Sequence, residues 1–351
     1  MRISPRKQRS RGRKMAISKN FNSCAHGLSR RRCLALLAAL PGLAWLPGCS
    51  AFGIEPLRIA AHGWLGYAPL FLARDLDYLP KNDVHLMESL SAGDSMELLR
   101  GKAVHGAGLT LDEALRLRDE GLDLRIVLIF NQSLGADVLL ARGNIHTLRD
   151  LAGRRLGAET NAVGMLIVDT VLKAAGLAPD QVTLVSIGAD GHEAAWRSGA
   201  LDALVTYEPI VSRILNSGGA HRLFDSRQMP DTIFDVLVVR ADSLSRHERH
   251  LKLLLRGYFQ GRRLLRDNPI DASYRLTNFL RIDPDAIIAA YRYLELPDAV
   301  INRRYLTPGS TSLIPAAERL ARWMTDTGLL HRPPRLDNLL SAAYLPRESG
   351  L

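Results

Sequence analysis

From Glu55 onward, short apolar runs of strand length alternate with amphipathic helical stretches, and this alternation restricts the fold more than any other feature. Parallel strands cannot be joined by a tight hairpin and need a crossover, usually a helix, so the pattern predicts mainly parallel sheets flanked by helices, an α/β protein. Leu57–Ala61 reads as the first strand and Pro69–Arg74 as the helix after it. Val84–Glu88 is a second strand. Asp94-Ser-Met-Glu97 has capping-box side chains, with Asp94 at the N-cap, and Gly101 ends the helix it opens. Gly106–Leu109 is a third strand, and Thr110-Leu-Asp-Glu113 repeats the capping signature for a helix running to Gly121. Arg125–Phe130 and Asp137–Ala141 are further strands.

The scheme then restarts. Thr147–Asp150 caps a short helix ending at Gly153, Arg155–Ala158 is a strand, and Val163–Ala175 is a helix stopped by Gly176. Val182–Ile187 is a strand, His192–Arg197 lies in a helix before Gly199, and Ala203–Val205 is a strand. An internal echo supports two lobes: helix, glycine stop, strand, threonine and carboxylate occur at Glu97–Asp112 and again at Ala194–Glu208. From Ser243 the pattern is mostly helical. Arg246–Arg266, with Leu251, Leu254, Leu255 and Phe259 on one side, reads as an amphipathic helix with a solvated basic outer face.

Residues 1–48 differ in kind. Arg30-Arg-Arg32, the apolar Leu34–Leu40 and Leu46-Pro-Gly-Cys49 make a charged, apolar and small-residue series like a secretory leader. The apolar run is shorter than the ~20 residues a bilayer span needs. Its end resembles a bacterial lipoprotein signal, in which Cys49 would be lipidated and become the new N-terminus. Ser29–Leu34 also resembles a twin-arginine export signal. The chain's formal charge of +10 belongs to this leader: it holds 11 of the 46 Lys and Arg and no acid, leaving 35 basic against 36 acidic residues, a net of −1. A body of mixed, near-neutral charge offers no counterion-release drive, so no nucleic-acid partner is expected. Cys24 and Cys33 leave with the leader, which leaves only Cys49 and removes thiol catalysis, zinc–cysteine sites and disulfides.

In open α/β sheets ligands sit beyond the carboxyl ends of strands. That rule nominates His62–Tyr67, Ser91–Asp94, Thr110–Asp112 and Glu159–Gly164, the last at a helix start whose free N–H groups favour a ligand oxygen. Trp64 and Tyr67 offer flat faces and one donor each, or simply pack on the lobe. Asp112 either binds or complements the helix macrodipole. Glu208 and Asp235 also follow or flank strands, whereas His192 reads as part of a solvated helix face. The nominated segments hold carboxylates but no Arg or Lys. Two carboxylates about 6 Å apart at an effective dielectric near 20 repel by roughly 3 kcal/mol, which a cationic or amine-bearing ligand would relieve and an anion would aggravate. No Gly-x-Ser-x-Gly elbow, His-Glu-x-x-His or phosphate loop is present, and the histidines lack metal-ligand spacing. No catalytic residue, metal or cofactor is expected.

Taken together, Leu57-Arg-Ile with Gly66-Tyr-Ala-Pro-Leu70 and Leu72-Ala-Arg74, Leu98-Leu-Arg-Gly101, Gly121–Val127, Leu148–Gly153, Ala174–Leu177, Val182–Val185 and Gly199–Val205 leading to Glu208-Pro209 resemble the solute-binding proteins of ABC importers. The resemblance is to the nitrate/sulfonate/taurine group that includes the NMT1/THI5-like thiamine-precursor binders. It implies a two-lobed periplasmic-binding fold of type II. Residues 57–136 and 241–351 would form lobe one and 137–240 lobe two, after a leader over 1–48 and a tether over 49–56. The crossings would fall near Ala136–Arg142 and Asp235–Arg240. The implied cleft draws on Trp64, Tyr67, Ser91, Thr110, Ser133, Thr160, Asn161 and Glu208. The implied partners are a small metabolite, an ABC permease with its ATPase, and a membrane through the lipid on Cys49, for a monomer on the periplasmic face. A ligand sensor for a membrane receptor and an enzyme on the same fold are the alternatives.

Overall fold

The computed structural model describes residues 54–309 and 312–347. The leader, Cys49 and most of the tether lie outside these residues. In chain order the body contains β1 (Leu57–Ala61), α1 (Ala68–Asp75), β2 (Val84–Glu88), α2 (Ala92–Arg100), β3 (Gly106–Thr110), α3 (Leu111–Asp119) and β4 (Leu124–Ser133). Then come β5 (Asp137–Arg142), β6 (Arg155–Ala158), α4 (Ala162–Ala175), β7 (Thr183–Ser186), α5 (His192–Arg197), β8 (Ala203–Tyr207), α6 (Ile210–Asn216) and β9 (Ala220–Asp225). The last stretch holds β10 (Phe234–Arg240), α7 (Ala241–Leu244), α8 (Glu248–Asp267), α9 (Pro269–Leu280), α10 (Pro284–Tyr291), β11 (Leu294–Glu295), α11 (Ala299–Leu306) and α12 (Ile314–Asp326).

The strands form two sheets with one plan. The first runs β2-β1-β3-β10-β4-β11 and the second β7-β6-β8-β5-β9. In each, three parallel strands joined by helical crossovers are followed by an antiparallel strand, β10 against β3 and β5 against β8. Each antiparallel strand is the one the chain enters on arriving from the other sheet. The first crossing, between β4 and β5, occupies 134–136. The second was expected at 235–240, but β10 lies wholly in the first sheet and the return occupies 226–233. The physical reason is that Val236–Val239 is an apolar run buried on both faces, and its backbone is paired on both edges, to β3 and to β4.

Local signals explain most elements. The helix predicted to open at Asp94 starts three residues earlier, because Ser91 Oγ accepts from the Asp94 N–H at 3.1 Å and is the true N-cap. Asn161 Oδ1 caps α4 through the Gly164 N–H at 2.8 Å. The basic helix predicted over 246–266 is α8, and Leu251, Leu254, Leu255 and Phe259 are buried as expected, together with Tyr258. Each such side chain contributes about 1.5–3 kcal/mol of transfer free energy. Tyr258 Oη closes its own polar end by donating to the Phe130 carbonyl at 3.1 Å. In the second lobe a separate apolar cluster of Val138, Leu140, Trp196, Leu201, Leu204, Ile210, Val211 and Ile214 fills the space under α5 and α6.

Candidate functional site: an acidic cleft between the sheets

A cleft of about 900 Å³ lies between the two sheets. Its first wall is built at the carboxyl ends of β1, β2 and β3 by His62, Gly63, Trp64, Glu88, Thr110, Asp112 and Glu113, with Ser91 from the start of α2 and Asp235 from β10. The second wall is built by Asp137, Glu159, Asn161, Asp190, Thr206 and Tyr207. Seven carboxylates line it: Glu88, Asp112, Glu113, Asp137, Glu159, Asp190 and Asp235. Arg116 and Arg281 are the cations. The nominated segments hold no arginine, and both cations reach the cleft from elsewhere. Arg116 comes from the second turn of α3 and Arg281 from the cap of α9, both outside the strand-end segments the sequence rule nominates.

Four of the carboxylates, Asp112, Glu113, Asp137 and Asp235, are buried. Burial favours their neutral forms. It raises Asp137 to about 6 and Asp235 to about 7, and it pushes up the adjacent pair Asp112 and Glu113, which also oppose one another's ionisation. Desolvation raises Glu159 too. Asp235 is partly compensated: it accepts from Tyr67 Oη at 2.8 Å, Trp64 Nε1 at 3.0 Å and Asn131 Nδ2 at 2.8 Å. Gly66 makes this cluster possible, since a Cβ there would sit 1.7 Å from Asn131 Oδ1. Three polar atoms of the first wall have no partner, namely His62 Nδ1, Thr110 Oγ1 and Asp112 Oδ1. His62 is held neutral, because desolvation lowers its pKa to about 4, and its ring meets Tyr67 edge-on at 5.2 Å.

Of the ten nominated residues, Trp64, Ser91, Thr110, Asp112, Asn161 and Asp235 come together on this cleft. Four do not line it. Tyr67 is fully buried with its hydroxyl on Asp235, so its donor serves the scaffold. Ser133 sits at the crossing, where its Oγ meets Ser226 Oγ at 2.7 Å. Thr160 is exposed beside Ser186. Glu208 is completely buried and pairs with Arg222 Nη2 at 2.7 Å while accepting from the Ser212 N–H. His192, read as solvated, is buried: its Nδ1 lies 2.9 Å from Thr206 Oγ1 and its Nε2 3.3 Å from the Ile187 carbonyl. The sequence reading missed His62, Glu113 and Asp137 as individual contributors. His62 follows the carboxyl end of β1 and Glu113 adjoins Asp112, so the strand-end rule could have found those two; Asp137 opens β5 at its amino end, on a strand antiparallel to β8, and escapes the rule.

Contacts between the lobes include two aromatic ones. The Trp64 and Tyr207 rings meet edge-on at 5.8 Å, and Trp323 Nε1 on α12 donates to Asp169 on α4 at 2.8 Å. Away from the cleft, Glu55, His105 and His247 bring possible metal-ligand atoms within 4.8 Å of one another. His105 Nδ1 accepts from the Arg58 N–H at 2.9 Å, which places the ring proton on Nε2. That tautomer offers no lone pair to a cation on the Glu55 side, so the cluster is poorly arranged for a metal.

The fold is that of known binding proteins. The periplasmic aliphatic sulphonate-binding protein SsuA of Escherichia coli superimposes with a TM-score of 0.70 at 17% identity, covering 82% of this chain and 97% of that one. The alkanesulfonate-binding SsuA of Xanthomonas axonopodis pv. citri, bound to MOPS, gives 0.66 at 18% identity over 83% and 98%. The desulfurization enzyme DSZB gives 0.62 at 17% identity over 83% and 97%. No curated protein matches the sequence. The profile of the NMT1/THI5-like family, however, matches residues 64–272, more than half of the chain and both walls of the cleft. The chain belongs to the NMT1/THI5-like family, as its ordered motifs anticipated.

Proposed function

We propose that this protein is an exported, lipid-anchored solute-binding protein that holds a small nitrogen-containing, cationic metabolite between two hinged lobes and delivers it to an ABC import permease. The carrying observation is the charge of the cleft, seven carboxylates against two arginines, with four of the carboxylates buried. A ligand ammonium or protonated ring nitrogen would relieve their mutual repulsion, and a sulfonate would add to it. The solved neighbours named for sulfonates support the binding role and the importer setting. The acidity of this cleft argues for a different ligand. Lobe one would comprise 57–136 and 234–351 and lobe two 137–233, with the second boundary drawn before Phe234 instead of at 240. Trp64, Ser91, Thr110, Asp112, Asn161 and Asp235 are the proposed ligand contacts. Lipidation would fall on Cys49, and the site of action on the outer face of the cytoplasmic membrane or the periplasmic face of an outer one.

Isothermal titration of the processed chain against aminopyrimidines and simple amines, and in parallel against alkanesulfonates, tests the ligand class. Amine binding that Asp112→Asn weakens is the expected result. Tight sulfonate binding with no amine binding ends the cationic reading. Chemical change of the bound compound, followed by mass spectrometry, would favour an enzyme of the kind that shares this fold.

A further inference from the structure

A cationic stripe runs along α8 on the side of lobe one away from the cleft. Arg249, Lys252 and Arg256 follow one another at intervals of three or four residues on one face of α8, Arg246 stands in the turn just before it, and all four are exposed. Arg249 reaches Asp83 at 2.8 Å and Lys252 reaches Glu248 at 2.5 Å. Arg246 and Arg256 have no ion pair among the described residues. With Ile54, Leu253, Ser245 and the carboxylate of Glu248 these four side chains form a shallow concavity. Its place in the fold is defined. Asp83 precedes β2, and His105, whose ring lies 4.2 Å from that of His247, precedes β3. The stripe therefore starts at the entry ends of the parallel strands, whereas the cleft is lined at their exit ends. Ile54, 51% exposed, opens the described body five residues after Cys49.

We infer that this face rests on an anionic phospholipid surface, its four cations against phosphate headgroups and Ile54 and Leu253 at the apolar boundary. The inference rests on the lipid-anchor reading for proximity: five residues span at most about 18 Å, so a lipid on Cys49 would hold the Ile54 corner beside the bilayer. Four cations facing two acids make a weak site in free solution. A tether turns the same contact into an intramolecular one at high effective concentration, and an acyl chain with a basic patch holds a protein to a membrane where either signal alone holds it marginally. The sequence alone read this face as merely solvated. What changes the reading is the adjacency of Ile54. Docked this way, the body would keep its cleft clear of the bilayer and open to solute.

The test uses the processed chain with Cys49→Ser, so that no acyl group contributes, and vesicles of phosphatidylglycerol with phosphatidylethanolamine against vesicles of phosphatidylcholine. Sedimentation should show binding to the anionic vesicles that added salt removes. Each basic contact near such a surface is worth about fivefold, so R246E with R256E should lower partitioning by at least about 25-fold while thermal unfolding and cleft-ligand titration stay unchanged. Equal partitioning into both vesicle types, or a double variant that binds like the wild type, overturns the surface. The preference of the unsubstituted chain decides the matter even if the variant folds poorly. The mass of the N-terminal peptide from the membrane fraction tests the anchor separately. An acylated chain without phosphatidylglycerol preference keeps the anchor and sinks the surface, whereas an unacylated chain with that preference does the reverse.

Discussion

The two lobes share a topology and differ in how they treat the same local motif. In lobe one, β3 ends in Thr110 and the chain turns into α3 with Asp112. In lobe two, β8 carries Thr206 and the chain turns toward α6 with Glu208. Both carboxylates are nearly or fully inaccessible. Glu208 is neutralised by Arg222, which reaches across from β9, stacks on the Tyr293 ring at 4.2 Å and also donates to the Gly135 carbonyl. Among the described residues no arginine forms an ion pair with Asp112, on which Arg116 acts only through space, and its Oδ1 has no partner. One buried acid belongs to the scaffold and the other faces the cleft. A cation placed on the second-lobe edge strand makes the difference.

The largest expected effect breaks that contrast directly. Arg222→Met takes the ion-pair partner from the buried Glu208 carboxylate, and should destabilise the protein by about 3–5 kcal/mol in urea unfolding. Asp112→Asn should do the opposite for stability, leaving it unchanged or higher, because it removes a carboxyl whose ionised form burial disfavours. It should instead weaken binding of a cationic ligand by roughly 10- to 100-fold in titration calorimetry, the worth of one charge-assisted hydrogen bond. Were both variants to lose stability equally, the division into scaffold and site acids would be wrong.

A third experiment addresses the first wall alone. Gly66→Ala places a methyl against Asn131 Oδ1 and should cost about 1–3 kcal/mol of stability, with altered near-ultraviolet absorption of Trp64 reporting the broken contact to Asp235.

The sign of the pH dependence follows from the cleft acids. Burial raises Asp137 to about 6 and Asp235 to about 7, above the ordinary aspartate value of about 3.9, so between these limits the folded state holds more protons than the unfolded chain. Their contribution to stability is therefore greatest at low pH and falls as pH rises through about 6 and 7, by at most about 1.4 kcal/mol per unit for each group. The melting temperature of the empty protein should drop from this source between about pH 4 and about pH 7, and Asp235→Asn should flatten the drop. A cationic ligand should release protons on binding, seen as a buffer-dependent enthalpy near pH 7. Proton uptake instead would count against ionised carboxylates meeting a cation. The smallest effect is expected at the Trp323–Asp169 contact between lobes, where Trp323→Phe should change ligand affinity by a few-fold or less, with its effect mainly on the dissociation rate.

Much of the fold was legible because its causes are local. Strand-length apolar runs, glycine stops and threonine or asparagine caps depend on neighbours within a few positions. The site was legible at Trp64, Ser91, Thr110, Asp112, Asn161 and Asp235, since strand ends and helix starts place them on the cleft wall. It was not legible at Tyr67, whose hydroxyl is taken by a carboxylate 168 residues away, or at Glu208, taken by an arginine on the last strand of its sheet. His192 failed for the same cause: a helix repeat says which side is inward only when the neighbouring strand is known, and here Thr206 receives the ring.

The amino-acid order by itself determined an α/β body of two like halves, a cleft at the strand ends and an excess of acids there. Periodicity and capping are short-range effects that any chain with this order must feel. Tertiary structure alone decided which acids are neutralised, where β10 pairs and which arginines reach the cleft. Electrostatic partnership is set by distance in space, and residues far apart in the chain supply it.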